Sequence, residues 1–294
     1  MNWLRRLFAP LLALALPGCA ADLYAPDARY VTPALWQAAD EDTTVYLFGT
    51  IHALTSDTQW YAGPIEQAYE ASDELVTEIA LGNAEADAQA IATRALLADG
   101  QNLRELMTSD NRAQFEEALI ALGLPVGAMD RYEPWYAAMT LTLLQVGQSG
   151  FDPQSGAEAA LTSRTEGKKQ SALETVEQQV ELFDGLPMEA QLVFLDETVE
   201  ATGVAADTLQ VMVDRWLAGD AEGLAMLMND ELDDPVLYDR LLTARNARWA
   251  EWIARRMEQP GTVFVAVGAG HLAGKGSVQE LLRARGVKVR RVKR

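Results

Sequence analysis

Two short apolar runs near opposite ends of the chain, Tyr46–His52 (YLFGTIH) and Val263–His271 (VFVAVGAGH), close on the same pattern, Gly-x-x-His. A run of apolar and β-branched residues that stops at glycine reads as a buried strand. Glycine lets the chain leave such a strand in a conformation that a Cβ would forbid. Each imidazole then lies just beyond a strand's carboxyl end, where open α/β sheets gather their ligands. His52 and His271 are the only histidines in 294 residues. Their matching frames point to one shared site.

The chain between them supplies the rest of an α/β fold. Thr43–Phe48, a helix over Pro64–Ser72 and a strand over Glu74–Ala80 make a βαβ unit, which favours a parallel sheet. The second strand carries Glu78 near its carboxyl end. Ala84–Gln148 is mostly helical, with helices over Ala86–Ala98 and Asn111–Leu122, the second closed by Gly123. Pro134–Val146 is apolar nearly all round, so it is expected to be buried. A brief strand falls at Gln170–Leu173, and two or three helices at Pro187–Met228. A long helix from Asp234-Pro235 to about Met257 places Arg245, Trp249, Trp252 and Arg256 on one face. Ser277-x-x-Glu280 is a capping box for a helix that Gly286 ends, and Val287–Val292 is a last strand. The expected fold is α/β, with a mixed, mainly parallel central sheet built from both chain ends and a large helical middle. It forms a single domain over 34–294, with helical additions at about 84–148 and 187–257.

Residues 1–18 read as a signal peptide: Arg5 and Arg6, then an apolar run, Leu7–Leu16, too short to span a bilayer. Leu16-Pro17-Gly18-Cys19 resembles a bacterial lipoprotein box, which would put a lipid on Cys19; plain cleavage near Ala21 is the alternative. Either way the expected location is the periplasm or cell envelope, with membrane attachment only through that lipid. Residues 19–33 form an extended lead-in. Cys19 is the only cysteine, which excludes an intrachain disulfide and a cysteine zinc site. A net charge of −19 argues against nucleic acid as a partner. Neither a Gly-x-Ser-x-Gly elbow, a phosphate loop nor a dinucleotide fingerprint occurs.

Two imidazoles and the Glu78 carboxylate are a workable ligand set for a divalent ion such as Mn²⁺, Co²⁺ or Zn²⁺. Such an ion lowers the pKa of bound water toward ~7. Glu78 could instead act as a general base, and spacing does not decide. Bland readings stand beside these. A histidine at a strand end is often only a hydrogen-bonded structural residue. Arg245 could stack on Trp249 or pair with an acid. Asp152 and Glu174 could be turn or cap residues.

These residues together resemble the TraB/PrgY/GumN family, which includes the animal Tiki proteases. The landmarks are Leu47–His52, the Glu78 strand, Gly150-Phe151-Asp152, Leu173-Glu174-Thr175 with Gln178, Arg245-Asn246 with Trp249, and Gly268–Leu272. The layout is closest to the bacterial GumN-like branch. Ala80 departs from it, since the family often has an acid there. The resemblance implies a fold similar to erythromycin esterase and ChaN-like proteins. It also implies metal-dependent, peptidase-like hydrolysis of a peptide or protein. Carried over, His52 and His271 are the essential metal pair, Glu78 the acidic partner, Arg245 and Asn246 oxyanion or substrate contacts, and Asp152 and Glu174 substrate-binding residues. The alternatives are a non-catalytic envelope protein that binds peptide, polysaccharide or haem, and a metal-free esterase.

Overall fold

The computed structural model describes residues 32–80, 84–229 and 238–293. The signal segment, Cys19, nearly all of the lead-in and the Asp234-Pro235 helix start lie outside the described residues. Both apolar runs are strands. In chain order the strands are β1 (Leu35–Ala39), β2 (Thr43–Thr50), β3 (Glu74–Ile79), β4 (Lys169–Glu174), β5 (Gly261–Gly268) and β6 (Val289–Arg291). They form one sheet in the order β4-β3-β5-β2-β1-β6. Neighbours from β4 to β2 are parallel, while β1 runs antiparallel to β2 and β6. The fold is therefore α/β with a mainly parallel sheet drawn from both ends of the chain.

β5 is apolar almost without interruption, and β3 is buried at every position but its last, because helices and loops cover both faces of a parallel sheet. Val45, Leu47, Val76, Val263, Val265 and Val267 pack one face against Trp249 and Ile253 of the helix Ala244–Arg256 and Leu282 of the helix Val278–Ala284. Each such side chain contributes roughly 1.5–3 kcal/mol on full burial. The described residues divide into two compact units. One lies within Gly82–Gly150 and Val176–Leu209, with its own core around Phe115, Leu119, Leu141 and Phe194. The other holds the sheet and every candidate site residue.

Several expectations need correcting. β1 falls just after the expected lead-in; LWQAA has no β-branched residue to announce it, yet it pairs along its whole length with β2. The helix expected over Ala86–Ala98 ends at Arg94, because Leu96 and Leu97 leave it to pair with Tyr132 and Arg131. The helix Pro134–Gln148 is not buried all round: Met139 is 37% and Leu143 55% exposed. Ser277 is the N-cap residue of its helix but makes no side-chain cap, and Glu280 reaches back to the Gly276 N–H instead. No helix among the described residues is long and apolar enough to cross a membrane.

Candidate functional site

Register brings the chemistry together. Along β2 and β5, Thr50 lies opposite Gly268; along β3 and β5, Thr77 lies opposite Ala266; and Ile79 of β3 lies opposite Glu174, the last residue of β4. Four adjacent strands thus end on one edge of the sheet. They deliver His52 two residues past β2, His271 on a 3₁₀ turn (Ala269–Leu272) after β5, Glu78 near the end of β3, and Glu174.

The two motif glycines do not act through backbone freedom, as the sequence had suggested. Neither has a positive φ. They are required by space. A Cβ on Gly49 would lie 3.0 Å from the Cα of Ala269, so this glycine lets the two Gly-x-x-His turns touch. A Cβ on Gly268 would lie 3.1 Å from Glu78 Oε1, 3.6 Å from His271 Cδ2 and 3.8 Å from His52 Nε2. Both imidazoles and the carboxylate therefore converge on one point.

The cation at this point is Arg245. It enters from the first turn of the helix Ala244–Arg256, just after a π-helical turn at Asp239–Thr243; such turns are frequent at functional sites. Nη2 donates to Glu78 Oε2 at 2.6 Å and to Glu174 Oε2 at 2.8 Å, while Nε bridges both Glu174 oxygens at 3.1 Å. Nη1 donates to Leu241 O and, at 3.1 Å, to His271 Nε2. The guanidinium also lies 4.7 Å from the Trp249 ring centre. The remaining Glu78 oxygen accepts the Gly268 N–H at 2.7 Å. Burial works against the charge on Glu78, but His271, which takes up its own proton only in the same acid range, together with Arg245, His52 and that N–H, outweighs it and holds its pKa down at about 2.

Hydrogen bonds settle the state of His271. Asn246 Nδ2 donates to Gly276 O at 2.9 Å, which turns Oδ1 toward His271 Nδ1 at 2.6 Å. An amide oxygen only accepts, so Nδ1 carries the proton. Arg245 only donates, so Nε2 is a lone pair. Burial, with Arg245 and His52 adding to it, keeps this ring neutral and its pKa down at about 3 despite Glu78. His52 is the opposite case. Its Nδ1 meets Glu158 Oε2 at 2.8 Å, and this carboxylate raises the imidazole to about 9 against the effect of burial. The His52 side chain is 66% exposed, so water screens part of that attraction.

Of the residues singled out from sequence, His52, Glu78, Glu174, Arg245, Asn246 and His271 are brought together. Glu174 grips Arg245, and Asn246 orients His271 with both of its amide groups committed. Asp152 is elsewhere engaged: its side chain caps Gln154 N–H and its backbone bridges to Leu54. Glu158 was missed. It sits on the short helix Ala157–Thr162, and no spacing in the sequence ties it to His52.

The donor chemistry fits a divalent ion. Both rings have Nδ1 held by an acceptor, the usual second layer of a metal-bound imidazole. Glu158 Oε1 is buried with no hydrogen-bond partner among the described residues. In the arrangement described, however, no three His, Cys, Asp or Glu side chains among the described residues are grouped tightly enough to hold an ion, and Arg245 engages His271 Nε2 and Glu78 Oε2. An ion would have to take over the Arg245 contact with His271.

Comparison with known proteins gives the same boundaries as the sheet. Residues 34–291 match the TraB/PrgY/gumN family. The chain is similar to an uncharacterized protein of Treponema pallidum (strain Nichols), with 24% identity over 266 residues, 85% of this chain and 80% of the relative. It is also similar to the uncharacterized protein YbaP of Escherichia coli (strain K12), with 24% identity over 257 residues, 87% of this chain and 94% of YbaP. No solved structure matches it.

Proposed function

We propose that this chain, which belongs to the TraB/PrgY/gumN family, is an exported hydrolase that depends on a divalent ion and cleaves peptide or protein substrates. The observation that carries the reading is the common orientation of two imidazoles. Each is fixed through Nδ1, by Glu158 or Asn246, and each brings its other edge to the point beside Gly268 that Glu78 also reaches.

His52 Nε2, once it gives up the proton that Glu158 favours at neutral pH, would hold Mn²⁺, Co²⁺ or Zn²⁺ together with His271 Nε2 and Glu78. When bound, the ion supplies a water of lowered pKa and polarises a carbonyl. Glu158 and Asn246 hold the rings in place and set their tautomers. Glu78, ionised at neutral pH, binds the ion or takes a proton. Arg245, released from His271 Nε2, has an N–H to give to the substrate oxygen as it gains negative charge. Glu174 keeps the guanidinium in position. The apolar segment before Cys19 supports export to the periplasm or cell envelope, with a lipid on Cys19 as the membrane attachment.

One observation favours a second reading, a metal-free esterase: the Arg245 guanidinium already provides a fixed positive charge between Glu78 and His271. A chelator separates the two. In the metal-dependent reading, peptide or ester hydrolysis stops on chelation and returns with Mn²⁺, Co²⁺ or Zn²⁺, and His52→Ala and Glu78→Gln abolish it. Activity that survives exhaustive chelation would instead establish the esterase.

A further inference from the structure

A cleft of about 290 Å³ opens beside the His52 turn. Residues on one wall lie within 55–61, and the other wall is made by Ser155, Ala160 and Arg164. The first wall follows His52 by three residues, and the second brackets Glu158. Backbone contacts tie them together: Ala157 N–H donates to Ile51 O at 3.0 Å, and Leu54 and Asp152 exchange hydrogen bonds. A Cβ on Gly156 would lie 2.1 Å from the carbonyl oxygen of His52, so the segments touch main chain to main chain. A ligand in this cleft is therefore held by the segments that carry the His52–Glu158 pair.

Arg164 is the one charged residue in the lining. It lies over the Tyr61 ring at 4.7 Å and spends Nη1 on Ala160 O. Among the described residues it has no carboxylate partner, although the chain carries a net charge of −19. The other polar groups are mostly taken. Thr55 and Thr58 pair with each other at 2.7 Å, Gln59 donates to Asp57 O at 3.3 Å, and the Tyr61 hydroxyl donates to Glu70 at 2.7 Å. What the cleft offers is the free edge of a guanidinium stacked on an aromatic ring, the group best matched to a planar carboxylate. Its volume lies at or below the lower end of ligand pockets, roughly 300–1,000 Å³, so it fits the end of a ligand rather than the whole. Trp60 is buried and Arg164 covers the Tyr61 face, so no open aromatic face is left for a sugar ring to lie on.

We propose that this cleft binds the free C-terminal carboxylate of a peptide on Arg164. The proposal rests on the hydrolase reading and narrows it to cleavage near the C-terminus. The peptide C–N bond breaks, the oxygen of water joins the acyl carbon, and the protons leave with the new carboxylic acid and the departing amine.

The test is binding of N-acetyl-trialanine, as free acid and as C-terminal amide, to the full chain in chelator, read by calorimetry or by tryptophan fluorescence. The acid is expected to bind about tenfold or more tightly than the amide, a gap of about 1.4 kcal/mol. Arg164→Gln should remove the difference, Arg164→Lys should keep part of it, and the exposed control Arg285→Gln should keep all of it. Equal binding of acid and amide by the wild type, or a preference that survives Arg164→Gln, overturns the proposal. So does a hexuronate disaccharide that binds through Arg164 while the peptide acid does not. Because no turnover is measured, the result stands apart from the hydrolase reading, which fails on its own if added ions never give activity.

Discussion

Arg245 donates to Glu78 through Nη2 at 2.6 Å, inside a sheet edge where both side chains are at least nine-tenths buried. Glu174 holds the same guanidinium from the other side. Removing one member of a buried charge cluster leaves its partners stranded, which typically costs about 3–5 kcal/mol. Arg245→Met is expected to destabilise the chain by that order in denaturant unfolding at pH 7.5. In the wild type the Glu78 pKa is depressed, so its stabilising contribution is complete above about pH 4.5 and is lost as pH falls toward 2. Without the guanidinium that pKa rises, and the deficit of Arg245→Met should shrink at pH 5.

Asn246 matters through His271. Its amide is pinned by Gly276 O, and it fixes the proton on His271 Nδ1. Asn246→Ala frees the ring to turn and to change tautomer. Loss of such an orienting partner typically lowers metal affinity about 10–100-fold. Calorimetric titration with Mn²⁺ or Zn²⁺ is expected to show that fall, with little change in overall fold by circular dichroism.

Gly268 and Gly156 should fail in different ways. At Gly268 the backbone is ordinary, with φ −49, and the three atoms nearest the added methyl belong to the Glu78, His271 and His52 side chains. Gly268→Ala is expected to fold, losing no more than about 1–3 kcal/mol, while ion binding and hydrolysis disappear. At Gly156 the methyl would run into the His52 carbonyl. Gly156→Ala is therefore expected to destabilise the sheet unit itself. Melting curves beside activity assays distinguish the two outcomes.

Away from the site, Asp196 accepts from Asn111 but is partly buried near Glu200, and burial pushes its pKa up to about 6. A raised carboxyl pKa favours the folded state below the ordinary value near 4 and disfavours it as pH rises through 6. Asp196→Asn keeps an acceptor for Asn111 without the charge. It is expected to stabilise the chain by about 1–2 kcal/mol at pH 7.5 and by almost nothing at pH 4, as melting temperatures at both pH values would show.

Of the strands that build the site, β2 and β5 were legible because each holds a short apolar run and both histidines fall in the same frame, and β3 because it follows β2 and a helix in a βαβ order. β1 was not, since LWQAA gains its extended form from pairing with β2 rather than from its own residues. The convergence of His52, Glu78 and His271 followed from placing each at a strand end. The partners that govern their charge did not. Glu158 reaches His52 across 106 positions of sequence, and Glu174 reaches Arg245 across 71. Such contacts depend on sheet register, which no local pattern encodes. The glycines were flagged for the wrong reason: close approach of two turns, not left-handed backbone, is what excludes a side chain at Gly49 and Gly268.

The most direct test is the number of divalent ions bound per chain, measured by calorimetry and elemental analysis on the wild type, His52→Ala and His271→Ala. One Mn²⁺, Co²⁺ or Zn²⁺ per wild-type chain, lost in both variants while each remains folded, is the expected result. No bound ion in the wild type, or binding that neither substitution disturbs, would contradict the account.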